Sequence, residues 1–170
     1  MAGKTFFIAD THFGHEAIIR YENRPFANAK EQEEQLIKNW NETVDDEDTV
    51  YVLGDFGLSD SKEETRRVCR SLKGKKILIL GNHDTQTPEW YRACGFAEAS
   101  PWPIIFEGFW ILSHEPLYIN ENMPYANIYG HVHANPTYKN YSRQSICVCV
   151  ERTDYRPITF DEVRKKVLGD

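Results

Sequence analysis

The sequence has little of what marks a membrane or nucleic-acid-coating protein. No apolar run approaches the roughly 20 residues needed to cross a bilayer, so no membrane partner is expected. There is no basic excess: 20 Lys and Arg stand against 26 Asp and Glu, a formal charge of −6, which argues against strong non-specific binding to nucleic acid or an anionic surface. The four cysteines, Cys69, Cys94, Cys147 and Cys149, form no C-x-x-C pair, which removes the pattern of a cysteine-held structural zinc. Cys147 and Cys149 alternate with Ile146, Val148 and Val150 and read as one face of a strand, small apolar residues in a reducing compartment. The opening MAGKTFFIAD has one lysine and a short apolar run that meets Asp10, unlike a signal peptide, so a cytoplasmic location is expected. Repeats, low-complexity stretches and Gly/Ser linkers are missing, and 170 residues read as one domain, 1–170.

What is present is an ordinary globular composition, 41% hydrophobic and 27% charged. Short apolar runs at Phe6 to Ala9, Val50 to Leu53, Ile77 to Leu80, Trp110 to Leu112 and Ile128 to Tyr129 read as strands covered on both sides. Residues 28 to 44 read as an amphipathic helix with Leu36, Ile37, Trp40 and Val44 on one stripe. Ser61-x-x-Glu64, Thr87-Pro88 and Thr159-x-x-Glu162 open three more, the last reaching about Leu168. The pattern is β-α-β-α-β followed by a strand-rich half, an α/β layered fold with a mixed sheet.

The polar residues then fall in one kind of place. The five runs are followed by Asp10-Thr11-His12, Gly54-Asp55, Gly81-Asn82-His83-Asp84, Ser113-His114 and Gly130-His131-Val132-His133. Five of the six histidines stand in these positions, and the sixth, His15, follows His12 by three residues. Ligands of open α/β sheets bind outside the carboxyl ends of strands. Carboxylate, amide and imidazole without thiolate suit Mn, Fe, Zn, Co or Ni better than Ca. There are too many such groups for one ion and about enough for two that share a carboxylate.

These blocks, in this order, resemble those of the calcineurin-like metallophosphoesterases over residues 4 to about 135. The resemblance implies a four-layer α/β/β/α sandwich of two mixed sheets flanked by helices. It implies two divalent transition-metal ions, manganese first, with iron, zinc, nickel and cobalt as alternatives. Asp10, His12 and His133 would hold one, Asn82, His114 and His131 the other, and Asp55 would bridge them. His83 would stand near the leaving group. The segment after Asp55, Phe56-Gly57-Leu58-Ser59-Asp60, lacks the Arg of the family's protein phosphatases, so phosphoprotein substrates are not expected. The stretch from Asp10 to Phe26 resembles small bacterial and phage-encoded phosphoesterases.

The implied chemistry is hydrolysis of small or nucleotide-like phosphodiesters or monoesters. Two divalent ions and two carboxylates leave about +2 at the site, which draws a phosphate and lowers the pKa of a bridging water from near 16 toward about 7. The resulting hydroxide attacks phosphorus in line while His83 protonates the leaving oxygen. Asp84 either orients His83 or caps its own turn. His15 and Arg24, in the loop after the first strand, are candidates for substrate binding, Arg24 alternatively being tied to a local carboxylate. Loop aromatics Tyr21, Phe26, Tyr118, Tyr125, Tyr138 and Tyr141 are candidates for stacking on a base. Two other readings are a metal-dependent nuclease acting on DNA or RNA ends and a non-catalytic metal-binding scaffold. The oligomeric state is not legible.

Overall fold

The computed structural model describes residues 3–137 and 143–169. The elements run β1 (Thr5–Ile8), α1 (Glu16–Tyr21), α2 (Ala29–Thr43), β2 (Thr49–Val52), α3 (Lys62–Ser71), β3 (Lys75–Ile79), α4 (Pro88–Cys94), β4 (Glu98–Ser100), β5 (Ile104–Phe106), β6 (Trp110–Ser113), β7 (Ala126–Tyr129), β8 (Ser145–Cys147), β9 (Ile158–Thr159) and α5 (Phe160–Leu168).

The helix starts follow local chemistry. Asn28, Ser61, Thr87 and Thr159 are each N-caps in extended backbone, and each side chain accepts an N–H from the residue three further on. Such caps satisfy donors that the first turn leaves without intrahelical partners. At α5 the arrangement is reciprocal, because the Glu162 carboxylate also accepts the Thr159 N–H at 2.7 Å. The expected helices at 28–44 and after Ser61, Thr87 and Thr159 are all formed; α1, a single short helix after His15, was not anticipated.

The strands form two mixed sheets. One has the order β4-β3-β2-β1-β9, the other β5-β6-β7-β8. Within the first, β1 to β4 are parallel and β9 antiparallel; within the second, β6 to β8 are parallel and β5 antiparallel. Alternation along the strands gives each face of the first sheet its own core. Phe6, Ile8, Val50, Val52 and Leu78 pack against Leu36 and Trp40 of α2, Val68 of α3 and Tyr91 of α4. Phe7, Ala9, Leu53 and Ile79 point the other way, onto Trp110, Leu112, Ala126, Ile128 and Ile146 of the second sheet, with Val163 of α5 in the same cluster. Each such fully buried side chain contributes about 1.5–3 kcal/mol relative to exposure. The expected α/β sandwich of two mixed sheets flanked by helices is the architecture observed.

One bridge decides where the site lies. Ala9 pairs in parallel with Cys149, its N–H donating to Val148 O at 3.0 Å and its carbonyl accepting from Val150 at 3.1 Å. The two sheets therefore run in the same direction where they meet. The carboxyl ends of β1, β2 and β3 and those of β6, β7 and β8 come out on one edge. No described helix is long and apolar enough to cross a membrane.

Candidate metal centre

The strand ends leave regular geometry at the polar residues. Among the described residues nine non-glycine positions have left-handed backbone, and five of them are Asp10, His12, Asp55, His131 and His133. That conformation costs about 1–2 kcal/mol per L-residue and is held only where surroundings enforce it. Glycines provide the room. A Cβ on Gly81 would collide with the Asp55 carboxylate, and one on Gly130 would reach 2.5 Å from Asp10 Oδ2 and from the Ala9 side chain.

Two ligand groups converge. Asp10, His12 and His133 bring their ligand atoms within 4.8 Å of one another, and so do Asp10, Asp55 and His114. Asp55 stands between them: its Oδ2 is 3.5 Å from His12 Nε2 and 3.6 Å from His114 Nε2. Its Oδ1 is fixed by the His83 backbone N–H at 2.8 Å. Asn82 Oδ1 lies 2.9 Å from His114 Nε2 and 3.0 Å from His131 Nδ1, and those two ring nitrogens are 3.1 Å apart. Two ring nitrogens and an amide oxygen this close together are a donor set that a cation could use.

The fit to metal also shows in what is unpaired. Asp10 Oδ1 and His12 Nε2 are buried and have no hydrogen-bond partner, although buried polar atoms are almost always satisfied. They face each other at 3.8 Å. The remaining positions are braced. Asp10 Oδ2 accepts the His131 N–H at 2.7 Å and the Cys149 thiol at 3.2 Å. His114 Nδ1 meets the Leu53 carbonyl at 2.8 Å, which in the Nδ1–H tautomer leaves Nε2 as the ligand. Burial works to raise the Asp10 pKa, but His12, His133 and His114 outweigh it and hold it near 2. Burial lowers that of His12, which favours the neutral, ligating imidazole.

The residues around these ligands divide. His83 is exposed at the rim, its ring 5.3 Å from that of His12 and 5.9 Å from that of His15. A hollow of about 230 Å³ opens beside it, lined also by Ser59, Asp60, Thr85, Gln86 and Tyr91. His15 Nδ1 is 3.1 Å from His12 Nδ1. If His12 ligates through Nε2, its Nδ1–H donates to a neutral His15, and burial with His12 and His83 alongside pushes the His15 pKa down to about 4. His15 is thus engaged with a ligand as well as lying beside His83.

Two expectations are corrected. Asp84 does not orient His83 but follows the other reading, a turn cap: its Oδ2 accepts from the backbone N–H groups of Gly81, in its own turn, at 2.8 Å and of Asp55 at 2.7 Å, and its Oδ1 from Phe56 at 3.1 Å. Two buried turns leave N–H donors that need an acceptor, and Asp84 serves both. Burial pushes its pKa up to about 7 against those three bonds. Arg24 is not placed to bind substrate. Its side chain is fully buried, and its N–H groups go to Glu151 Oε1 from Nε and Nη2, to Thr11 O and Gln32 Oε1 from Nη1, and to Asp10 O from Nη2. No donor is left for a phosphate. The alternative, a tie to a carboxylate, is what occurs, though deep inside.

Glu151 is the residue that the sequence reading missed. It accepts from Arg24 and from His133 Nδ1, the latter at 3.0 Å. It lies beyond β8 in the turn Val150–Arg152, with no glycine or histidine beside it of the kind that marks the other strand ends. Glu22 also approaches His133 and Glu151; there the Arg24 guanidinium already supplies the positive charge. Of the aromatics, Tyr21 and Tyr118 are exposed, Phe26 packs edge-on against Tyr155, and Tyr138 and Tyr141 lie outside the described residues.

A sandwich of two mixed sheets with carboxylate, amide and imidazole gathered at their common edge defines a metal-binding phosphoesterase class. The chain belongs to the calcineurin-like phosphoesterase family, whose model matches residues 3–165. It is 39% identical over 171 residues to the uncharacterized protein MJ1445 of Methanocaldococcus jannaschii, covering 96% of this chain and 91% of that one. It is 34% identical over 86 residues to the gene 66 protein of Mycobacterium phage L5, which is 49% of this chain and 41% of the phage protein. Among solved structures it matches the protein AQ665 of Aquifex aeolicus with a TM-score of 0.76 and 32% identity over 96% of this chain and 98% of that one. The Pseudomonas putida nuclease MPE matches with a TM-score of 0.53 and 20% identity over 76% and 61%, a likeness of fold alone.

Proposed function

We propose that this chain hydrolyses small or nucleotide-like phosphodiesters or monoesters with the help of two divalent transition-metal ions, manganese being the first choice. The observation that carries this reading is Asp55 Oδ2, placed 3.5 Å from His12 Nε2 and 3.6 Å from His114 Nε2, between the Asp10–His12–His133 group, where Asp10 Oδ1 and His12 Nε2 are buried and unpaired, and the Asn82–His114–His131 group. Asp10, His12 and His133 would hold one ion, Asn82, His114 and His131 the other, with Asp55 shared. When bound, the ions supply the positive charge that attracts a phosphate and acidifies water.

The protein's own groups do the rest. Asp10 and Asp55 are the only carboxylates in the ligand set, so two divalent ions would leave the site positive; Asn82 contributes an oxygen without charge. Glu151 does not subtract from this, being balanced by Arg24. His83, held at the rim by its backbone bond to Asp55, protonates the departing oxygen, and the hollow beside it receives the leaving group.

The test is a screen of mono- and diesters, cyclic nucleotides and short oligonucleotides with the chelator-stripped protein, with and without Mn²⁺. Turnover that appears with Mn²⁺ and vanishes with chelator supports the reading; none with any metal or ester would overturn it. His83→Ala should slow alkyl diesters by about 100-fold, within the usual range for general acid catalysis. It should slow p-nitrophenyl esters, whose leaving group needs little protonation, far less. Equal losses would remove the acid role.

A further inference from the structure

The ligating histidines look alike from the front and differ behind. His114 Nδ1 meets a neutral backbone carbonyl, Leu53 O, at 2.8 Å. His12 Nδ1 meets a neutral imidazole, His15, at 3.1 Å. His133 Nδ1 meets a carboxylate, Glu151 Oε1, at 3.0 Å. The Glu151 side chain is 3% exposed and that of Arg24 0%. A buried carboxylate stays ionised only if paired, and Arg24 pairs it at 2.6 Å.

The same guanidinium reaches the other residues of that ligand group. Arg24 donates to the carbonyls of Asp10 and Thr11 at 2.7 and 3.0 Å, and to Gln32 Oε1 at 3.0 Å; Gln32 in turn donates to His12 O at 3.1 Å. One buried ion pair therefore ties together the three residues Asp10, His12 and His133. The ring nitrogens of His114 and His131 make no hydrogen bond to a charged side chain in the structure described; their partners are Leu53 O, Asn82 and each other.

A carboxylate on the far nitrogen of a ligating histidine fixes its tautomer and raises its basicity, and removing such a partner typically costs 10–100-fold in metal affinity. We propose that Glu151 is a positioning residue that makes the Asp10–His12–His133 position the tighter, first-filled of two cation positions. It acts by holding His133 as the Nδ1–H tautomer with Nε2 directed to the ion, and Arg24 keeps it charged. The proposal rests on the two-ion reading above and adds an order to it.

The experiment is Mn²⁺ titration of the chelator-stripped full chain by calorimetry, with the number of bound equivalents checked by electron paramagnetic resonance. The unmodified protein should bind two equivalents in two distinct steps. Glu151→Gln, which keeps the shape and removes the charge, should weaken the tighter step by about 10–100-fold and leave the weaker step within about twofold. Arg24→Met/Glu151→Met, which removes both buried charges together so that neither is left unpaired, should show the same selective loss, its folding checked by circular dichroism. If either variant weakens both steps alike, or neither step, the positioning role is overturned. A single equivalent in the unmodified protein would overturn the two-ion reading as well.

Discussion

Four helices of this chain begin at polar side chains and its strands end at them, under opposite rules. At the helix starts Asn28, Ser61, Thr87 and Thr159 sit in extended backbone that any residue adopts, and each satisfies a local donor. At the strand ends Asp10, His12, Asp55, His131 and His133 sit in left-handed backbone that side chains disfavour, and Asp10 Oδ1 and His12 Nε2 satisfy nothing. A cap stabilises the fold. The strand-end residues are held by the fold, and the atoms they leave unpaired are open to something that binds. Departures from local rules of this kind are expected at functional sites.

The sharpest way to break that comparison is Asp55→Asn. If the strand ends serve chemistry, the bridging charge matters and the fold hardly notices. Turnover should fall by at least about 1,000-fold, several kcal/mol of transition-state stabilisation. The thermal stability of the metal-free protein should change by less than about 1 kcal/mol, because a carboxamide oxygen still accepts the His83 N–H. Loss of stability in proportion to activity would make Asp55 a structural residue and erase the contrast. Steady-state kinetics and a melting curve on the same preparation decide it.

How much of this could be read from the sequence follows the same division. The caps at Ser61 and Thr159 were legible because each depends on residues three apart, and that at Thr87 because Pro88 follows it. The candidate site was legible because each polar tip follows an apolar run, and the structure brings those tips together. What escaped reading depends on partners distant in sequence. Nothing near Arg24 announces that the carbonyls of Asp10 and Thr11 and the carboxylate of Glu151 will surround it. For Asp84, orienting His83 and capping its own turn were both open; the Gly81 bond is the local cap, but the partners that spacing could not show are backbone groups of Asp55 and Phe56, 29 and 28 residues away. Short-range spacing carries period and capping; it does not carry where a buried donor will need an acceptor.

Asp84 therefore lies between the two classes, a cap that serves a ligand turn, and Asp84→Asn sharpens the comparison. The carboxamide offers one acceptor where three N–H groups converge and brings N–H bonds toward donors. Leaving such groups unsatisfied costs about 1–3 kcal/mol, read as a lower midpoint in urea unfolding. Because the same bonds set the turn that carries Asp55, turnover should fall as well, by about tenfold. A variant as stable as the parent would show that the three bonds contribute no net stability.

The smallest expected effect tests the helix starts alone. Glu162 completes the cap of α5, accepting from Thr159 N–H and Oγ1 and from Arg156 Nη2. Its pKa is held near 2 although burial opposes this; Arg156 and the Thr159 groups prevail. A carboxylate whose folded pKa is depressed contributes stability that is present in full above its ordinary value of 4.5 and is lost as pH falls toward 2. With 35% of the side chain in water, solvent screening reduces the contribution to about 1 kcal/mol. Glu162→Gln should therefore be less stable than the parent by about that amount at neutral pH. The gap should narrow as pH is lowered from about 5 to about 3, where the glutamate of the unfolded parent takes up a proton while the folded one stays ionised. Urea unfolding at three pH values measures it, and turnover at neutral pH should not move. A gap that stays constant with pH would mean that the cap acts through shape and not charge. A fall in turnover would mean that the start of α5 and the edge that carries the candidate site are coupled, against the separation drawn between helix starts and strand ends.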